Sequence, residues 1–201
     1  MSENTTSGPG ADQNSVMALF EETGALMRGH FVLTSGLHSP NYLQCALVLQ
    51  HTRHAETLGR AIADQYRDRR ISAVVAPAIG GIVIGHEVAR ALGARSLFAE
   101  RDANGEMVLR RGFTVGEDER VLVVEDVITT GGSTRETIEA VIGAGGKVVS
   151  AASIIDRSGG TADVGVPRTA LATLKVETYD PHSCPLCAEG SVAVKPGSRK
   201  R

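Results

Sequence analysis

No stretch of this 201-residue chain approaches the roughly 18 to 20 uninterrupted apolar residues that a membrane helix needs. Its opening, MSENTTSGPGADQNS, is polar and glycine-rich, where an export signal would be basic and then apolar. These absences point to a soluble protein. Charge of one sign is also lacking: 21 Lys and Arg face 23 Asp and Glu, for a formal net charge of -2. No overall basic field draws nucleic acid or an anionic membrane to the chain, so an anionic ligand must be met by local groups. Cysteine is scarce. Cys45, Cys184 and Cys187 form an odd set, too sparse for a disulfide framework and consistent with a reducing cytoplasm.

The chain has the length of one globular domain. Residues 1 to about 14 offer little to bury and read as a loose tail. Val16, Leu19, Phe20 and Leu26 fall at helical spacing, which predicts a helix over residues 16–27. Two short strands around a turn at Gly36 and an extended piece over 41–49 then make a small N-terminal β element. From there helices alternate with apolar strands. Helices are expected over 52–70, 82–92 and 134–142, and strands over 71–76, 95–100, 121–124, 147–155 and 170–176. Asn104-Gly105 signals a tight hairpin. The alternation predicts an α/β fold with an open, mostly parallel sheet flanked by helices.

Chemistry concentrates in Val121-Leu-Val-Val-Glu125-Asp126-Val127-Ile128-Thr129-Thr130-Gly131-Gly132-Ser133-Thr134. Two acids stand at the C-terminal end of a buried strand, the edge where open α/β sheets bind ligands. Glycines permit close backbone approach, and amides opening the next helix, with hydroxyls from Thr130, Ser133 and Thr134, make a phosphate cradle. Ser133 with Glu136 also fits a capping box, which would only start a helix. Capping does not account for Glu125-Asp126. Paired acids beside a phosphate site would repel the ligand unless they bind ribose hydroxyls or lie near a magnesium ion. The loop has no lysine, which excludes a GxxxxGK nucleotide loop, and the GxGxxG fingerprint is absent.

Residues 123–134, Val-Val-Glu-Asp-Val-Ile-Thr-Thr-Gly-Gly-Ser-Thr, resemble the phosphoribosyl pyrophosphate motif of type I phosphoribosyltransferases, and in particular the orotate phosphoribosyltransferases. The resemblance runs over about residues 16–160. Phe31-Val-Leu-Thr-Ser-Gly-Leu-His-Ser-Pro is similar to that family's hood over the base, and Ala76-Pro-Ala-Ile-Gly-Gly-Ile to its pyrophosphate loop. It implies a type I phosphoribosyltransferase fold with a hood over about 15–50, a core over about 52–180 and a C-terminal extension over 181–201. It also implies transfer of ribose 5-phosphate from phosphoribosyl pyrophosphate to orotate, with Mg²⁺ held through the pyrophosphate, in a cytoplasmic homodimer with shared active sites. Carried over, the resemblance gives Glu125 and Asp126 the ribose hydroxyls, sets Thr129, Thr130, Gly131, Gly132 and Ser133 around the 5′-phosphate, and counts Val127 and Ile128 among the residues that bind phosphoribosyl pyrophosphate. Thr129 would also reach orotate, and Arg157 would meet the orotate carboxylate, for which a fixed guanidinium fork is well shaped. Backbone near Tyr42 and Leu43 would complete the base pocket. Ala78, Ile79, Gly80 and Gly81 would face the pyrophosphate, with a strained bond around Ala78-Ile79.

The chain departs from that family in its cations. Lysines expected in the hood, the pyrophosphate loop and a long catalytic loop are replaced by Thr34, Gly80 and a short hairpin, and Lys147, Lys175, Lys195 and Lys200 lie elsewhere. The hairpin carries Arg101, Arg110 and Arg111. Arg101 is the nearest match to the family's loop arginine, and in such dimers that loop serves the neighbouring subunit's site. The alternative is a charged exposed hairpin. Cys184-Pro-Leu-Cys187, with His182 before it, has the spacing of a zinc knuckle or a redox pair, with Cys45 or a second subunit as source of a fourth ligand; ordinary thiols in a turn are the other reading. His30, His38, His51, His54 and His86 show no ligand spacing. Two other functions stay open at this point: transfer to a purine or another base, and a regulator that keeps the site as a sensor. The latter would need a basic or helix-turn-helix module that the composition does not supply.

Overall fold

The computed structural model describes residues 12–33 and 35–196. A six-stranded sheet has the order β5-β4-β3-β6-β7-β8. Its strands are β3 (Ala73–Pro77), β4 (Arg95–Arg101), β5 (Met107–Leu109), β6 (Arg120–Ile128), β7 (Lys147–Asp156) and β8 (Arg168–Thr173). All neighbours pair in parallel except β4 and β5, which form the hairpin around Asn104-Gly105. Val74, Leu122, Val124, Ala152 and Ile154 point to one face, and Ala73, Val75, Val121, Val123 and Ala151 to the other. The alternation splits an almost continuous apolar sequence between two cores, as a parallel sheet covered on both sides requires. Helices α3 (Thr52–Asp64) and α4 (Gly81–Leu92) cover the first face. Helix α5 (Gly132–Gly143) covers the second through Ile138 and Val141.

The strand order reverses at the centre. From β3 the chain moves outward to β4 on one side, and from β6 it moves to β7 on the other. The C-terminal ends of β3 and β6 therefore border the crevice where such folds bind ligands.

The N-terminal region differs from expectation. Helix α1 (Gln13–Glu22) starts where Asp12 Oδ1 accepts from Ser15 N at 2.7 Å, inside the segment read as a loose tail; residues 1–11 of that tail lie outside the described residues. It stops five residues short of Met27, because Gly24 turns at φ +66° and Leu26 and Met27 instead pair with Leu43 and Tyr42. Strands β1 (Leu26–Val32) and β2 (His38–Leu43) form a two-stranded antiparallel sheet. Residues 41–49 are not one extended piece. Strand β2 ends at Leu43, and Cys45–Leu49 is the short helix α2, whose buried Cys45, Val48 and Leu49 follow helical spacing. Helix α3 ends at Asp64 rather than near residue 70; a 3-10 turn over Arg67–Arg69 and Arg70 at φ 51° lead into β3. Among the described residues no helix is long and apolar enough to cross a membrane.

Candidate active site

A cavity of about 610 Å³ lies at the C-terminal end of β6, under the β1–β2 hairpin. Its floor is residues 125–134, its roof includes Leu33, Tyr42 and Leu43, and Arg101, Glu136 and Arg157 close its sides. The segment singled out in the sequence is thus one continuous wall.

Strand β6 is buried up to Glu125, whose residue exposure is 8%. Burial pushes the Glu125 carboxyl well above the ordinary carboxylate range, and the adjacent Asp126 charge pushes it further. Two acids on consecutive strand residues keep a local surplus of negative charge. Asp126 Oδ1 accepts from Val127 N at 2.9 Å, which fixes its carboxylate beside the β3–α4 turn. In that turn the Ala78–Ile79 peptide is cis and Ile79 is exposed. A Cβ built on Gly80 would stand 2.8 Å from Asp126 Oδ1, so glycine is what lets the turn meet this carboxylate. Residues 78–81 border Asp126 from β3 and do not line the cavity itself.

After Ile128 the chain runs through exposed Thr129 and Thr130 to Gly131, at φ +82°, which caps α5 without a side-chain hydrogen bond. The capping box between Ser133 and Glu136 is absent, because the helix already begins at Gly132 and Ser133 sits in its first turn. Glu136 turns to Arg101 instead, accepting from Nη2 at 2.6 Å. The first-turn amides thus keep their anion-binding potential. A Cβ at Gly131 would stand 2.8 Å from Val164 Cγ1, a second reason for glycine there.

Arg157 follows β7 and faces the cavity, its main-chain amide donating to Ile128 O at 2.8 Å. Its Nε is buried and has no hydrogen-bond partner among the described residues. Burial lowers the guanidinium from its ordinary value, and nearby Tyr42 acts in the opposite sense. A half-buried, partly unpaired guanidinium is suited to a planar anion. The turn that carries Arg157 is fixed by the residue before it. Asp156, 1% exposed, accepts from Ser158 N and Oγ, from Gly160 N and from Arg168 Nη1.

Other expected site groups separate. Arg101 lines this chain's own cavity, whereas Arg110 and Arg111 both face Glu100. Arg111 also lies over the Phe98 ring. Thr34 and Lys200 lie outside the described residues. Cys45 is buried near the acids of β6, whose charges add to burial in raising its thiol. It is not beside Cys184 and Cys187; His30 and His38 are, and His182 is not in the group. Glu136 reads in the sequence only as a helix cap, and Gln44 and the Asp156–Arg168 pair carry no motif. Their one sequence signal is adjacency, Gln44 to Leu43 and Asp156 to Arg157.

A glycine and hydroxyl turn at the switch point of a parallel sheet, with two acids ahead of it, is the arrangement of the phosphoribosyltransferase class. Residues 47–173 match the phosphoribosyl transferase domain family. An orotate phosphoribosyltransferase of Pelotomaculum thermopropionicum is 56% identical over 188 residues, 94% of this chain and 98% of that protein. The chain belongs to the orotate phosphoribosyltransferase family. The crystal structure of the Aeropyrum pernix orotate phosphoribosyltransferase superimposes with a TM-score of 0.68 at 30% identity, over 80% of this chain and 94% of that one. The Mycobacterium tuberculosis enzyme in complex with 5-phospho-alpha-D-ribosyl 1-diphosphate gives 0.64 at 27% identity, over 79% and 96%.

Proposed function

We propose that this cavity transfers the ribose 5-phosphate group of phosphoribosyl pyrophosphate to orotate, giving orotidine 5′-phosphate and pyrophosphate in de novo pyrimidine (UMP) biosynthesis. A ring nitrogen of orotate displaces pyrophosphate from the anomeric carbon with inversion, while positive charge develops on the ribose ring. The protein supplies position and charge rather than a nucleophile. Glu125 and Asp126 hold the ribose hydroxyls. Residues 129–133 hold the 5′-phosphate on main-chain amides and hydroxyls, Val127 and Ile128 border phosphoribosyl pyrophosphate, Thr129 also touches orotate, and Ala78, Ile79, Gly80 and Gly81 face the pyrophosphate.

The acids that repel a bare polyphosphate suit one carried with Mg²⁺, held through the pyrophosphate, whose charge offsets theirs. When bound, Mg²⁺ supplies charge neutralisation of the leaving pyrophosphate. Arg101 adds a cation on the same side after exchanging Glu136 for the ligand. The setting proposed is a cytoplasmic homodimer, which family membership supports.

The observation that carries the choice of base is Arg157, a half-buried guanidinium with a buried, unpartnered Nε at the cavity wall. Orotate brings a carboxylate to it; purines and uracil bring none. The test is base consumption with phosphoribosyl pyrophosphate and Mg²⁺, followed by ultraviolet absorbance for orotate, adenine, hypoxanthine and uracil in parallel. Turnover of orotate alone is expected. Turnover of a purine in its place overturns the base assignment, and no turnover with any base overturns the enzyme reading in favour of a sensor.

A further inference from the structure

Away from the cavity, four metal-ligating side chains converge. His30 from β1, His38 from β2, and Cys184 and Cys187 from the C-terminal segment bring one ligand atom each, all within 4.8 Å of one another. We propose that these four residues hold a structural Zn²⁺ ion that fastens the C-terminal segment to the β1–β2 hairpin.

The distances suit one tetrahedral ion. Zinc bonds of about 2.0–2.1 Å to nitrogen and 2.3 Å to sulfur place a nitrogen and a sulfur ligand about 3.5 Å apart. Cys184 Sγ lies 3.6 Å from His30 Nε2, and Cys187 Sγ lies 3.8 Å from His30 Nε2 and 3.4 Å from His38 Nδ1. The two imidazole nitrogens are closer, at 2.8 Å, so binding the ion spreads the rings by about 0.5 Å. The donor set is two thiols and two imidazoles, the Cys₂His₂ class, and the thiols carry the C-x₂-C spacing of zinc knuckles.

An outer contact supports the assignment. His30 Nδ1 lies 3.0 Å from the Ser191 carbonyl, which accepts only if Nδ1 carries the proton. That fixes the tautomer with the Nε2 lone pair directed at Cys184, Cys187 and His38, as outer-shell carbonyls do for zinc-bound histidines. His30 and Cys184 are 5% and 3% exposed, so the group is rooted in the body, with Cys187 at its exposed side.

The location gives the ion a purpose. A two-stranded sheet is marginal on its own. This one gains a partner on each edge: Val32 N donates to Val194 O and Val194 N to His30 O, while His38 and Tyr179 exchange both main-chain bonds. Few apolar contacts back this strap, since Val192 and Val194 are largely exposed. A metal cross-link supplies what apolar burial does not. The hairpin it steadies carries Tyr42 and Leu43 of the cavity roof.

The experiment uses the full chain purified from zinc-supplemented medium. Elemental analysis is expected to find one zinc per chain, falling at least tenfold in the Cys184→Ser, Cys187→Ser double variant. Because that variant can lose its fold, wild-type protein is also exchanged into Co²⁺. Visible bands of tetrahedral cobalt with a thiolate charge-transfer band are expected, together with protection of the two knuckle thiols. Chelation is expected to lower Tm and raise the KM for orotate severalfold while leaving that for phosphoribosyl pyrophosphate within twofold. Zinc-free protein with reactive thiols and no cobalt bands, a Cys184–Cys187 disulfide in freshly purified protein, or chelation that leaves Tm unchanged would each overturn the proposal.

Discussion

Arg168 Nη1 donates to Asp156 Oδ2 at 2.6 Å, with the two side chains 13% and 1% exposed. Burial alone would raise the Asp156 carboxyl, but hydrogen bonds from Ser158 and Arg168 outweigh it and hold the group below its ordinary value. The pair anchors the turn that begins with Arg157. Asp156→Asn is therefore expected to cost about 3 kcal/mol, since it leaves a nearly buried guanidinium uncompensated. The KM for orotate should rise more than that for phosphoribosyl pyrophosphate. The stability difference is full above the ordinary carboxylate pKa and fades as pH falls through the lowered native value, because the wild type then loses the same charge. Denaturant melts across that acid range check the sign; a pH-independent difference would count against this account.

Glu125 has the opposite sign. Its native carboxyl is raised, so the wild type loses stability as pH climbs from the ordinary Glu value to the native one. Glu125→Gln is expected to be more stable than wild type at pH 8, with the gain shrinking toward pH 4. The same variant should lose at least tenfold in kcat/KM for phosphoribosyl pyrophosphate. A variant no more stable at pH 8 than at pH 4 would show that Glu125 is not strained by its burial.

Gly80 tests the approach of the turn to the acids. A Cβ there meets the Asp126 carboxylate at 2.8 and 2.9 Å, so Gly80→Ala must displace it. About a tenfold loss in kcat/KM for phosphoribosyl pyrophosphate is expected, with Tm nearly unchanged because the carboxylate can swing toward the cavity. Full activity would mean that Asp126 works from a different rotamer.

Arg101 separates the loop arginines. Its ion pair with Glu136 is about half exposed on both sides and contributes at most about 1 kcal/mol to stability. Arg101→Ala is expected to cut kcat at least tenfold with little change in Tm, while Arg110→Ala and Arg111→Ala, whose side chains face Glu100, stay within about threefold. Unaltered turnover in Arg101→Ala would remove arginine from the leaving-group side.

What the sequence revealed depended on how local the signal was. Glu125, Asp126 and Gly131 belong to one strand, turn and helix, so a single segment carried both the edge of the sheet and the cavity floor. The helix expected through Met27 failed because Leu26 continues the periodicity of α1, while its cross-strand partner, Leu43, lies 17 positions away. Residues 41–49 were misread for a related reason: a short apolar run fits a strand or a buried helix turn, and only packing of Cys45, Val48 and Leu49 decides. The zinc ligands were half legible. Cys184 and Cys187 show a spacing, but His30 and His38 stand eight residues apart on paired strands and more than 140 from the thiols. Folding alone brings them there. Glu136 was assigned to a cap because its partner, Arg101, is 35 positions upstream.

The strap that edges the hairpin has a temporal consequence. Synthesis delivers the whole six-stranded sheet, with the β6–α5 turn, by residue 173, yet Tyr179, Cys184, Cys187 and Val194 come later. Domains begin to fold as they emerge. A nascent chain thus passes through a stage with the cavity floor finished and its roof still unfastened, and the arrival of the strap decides when the cavity gains a lasting ceiling.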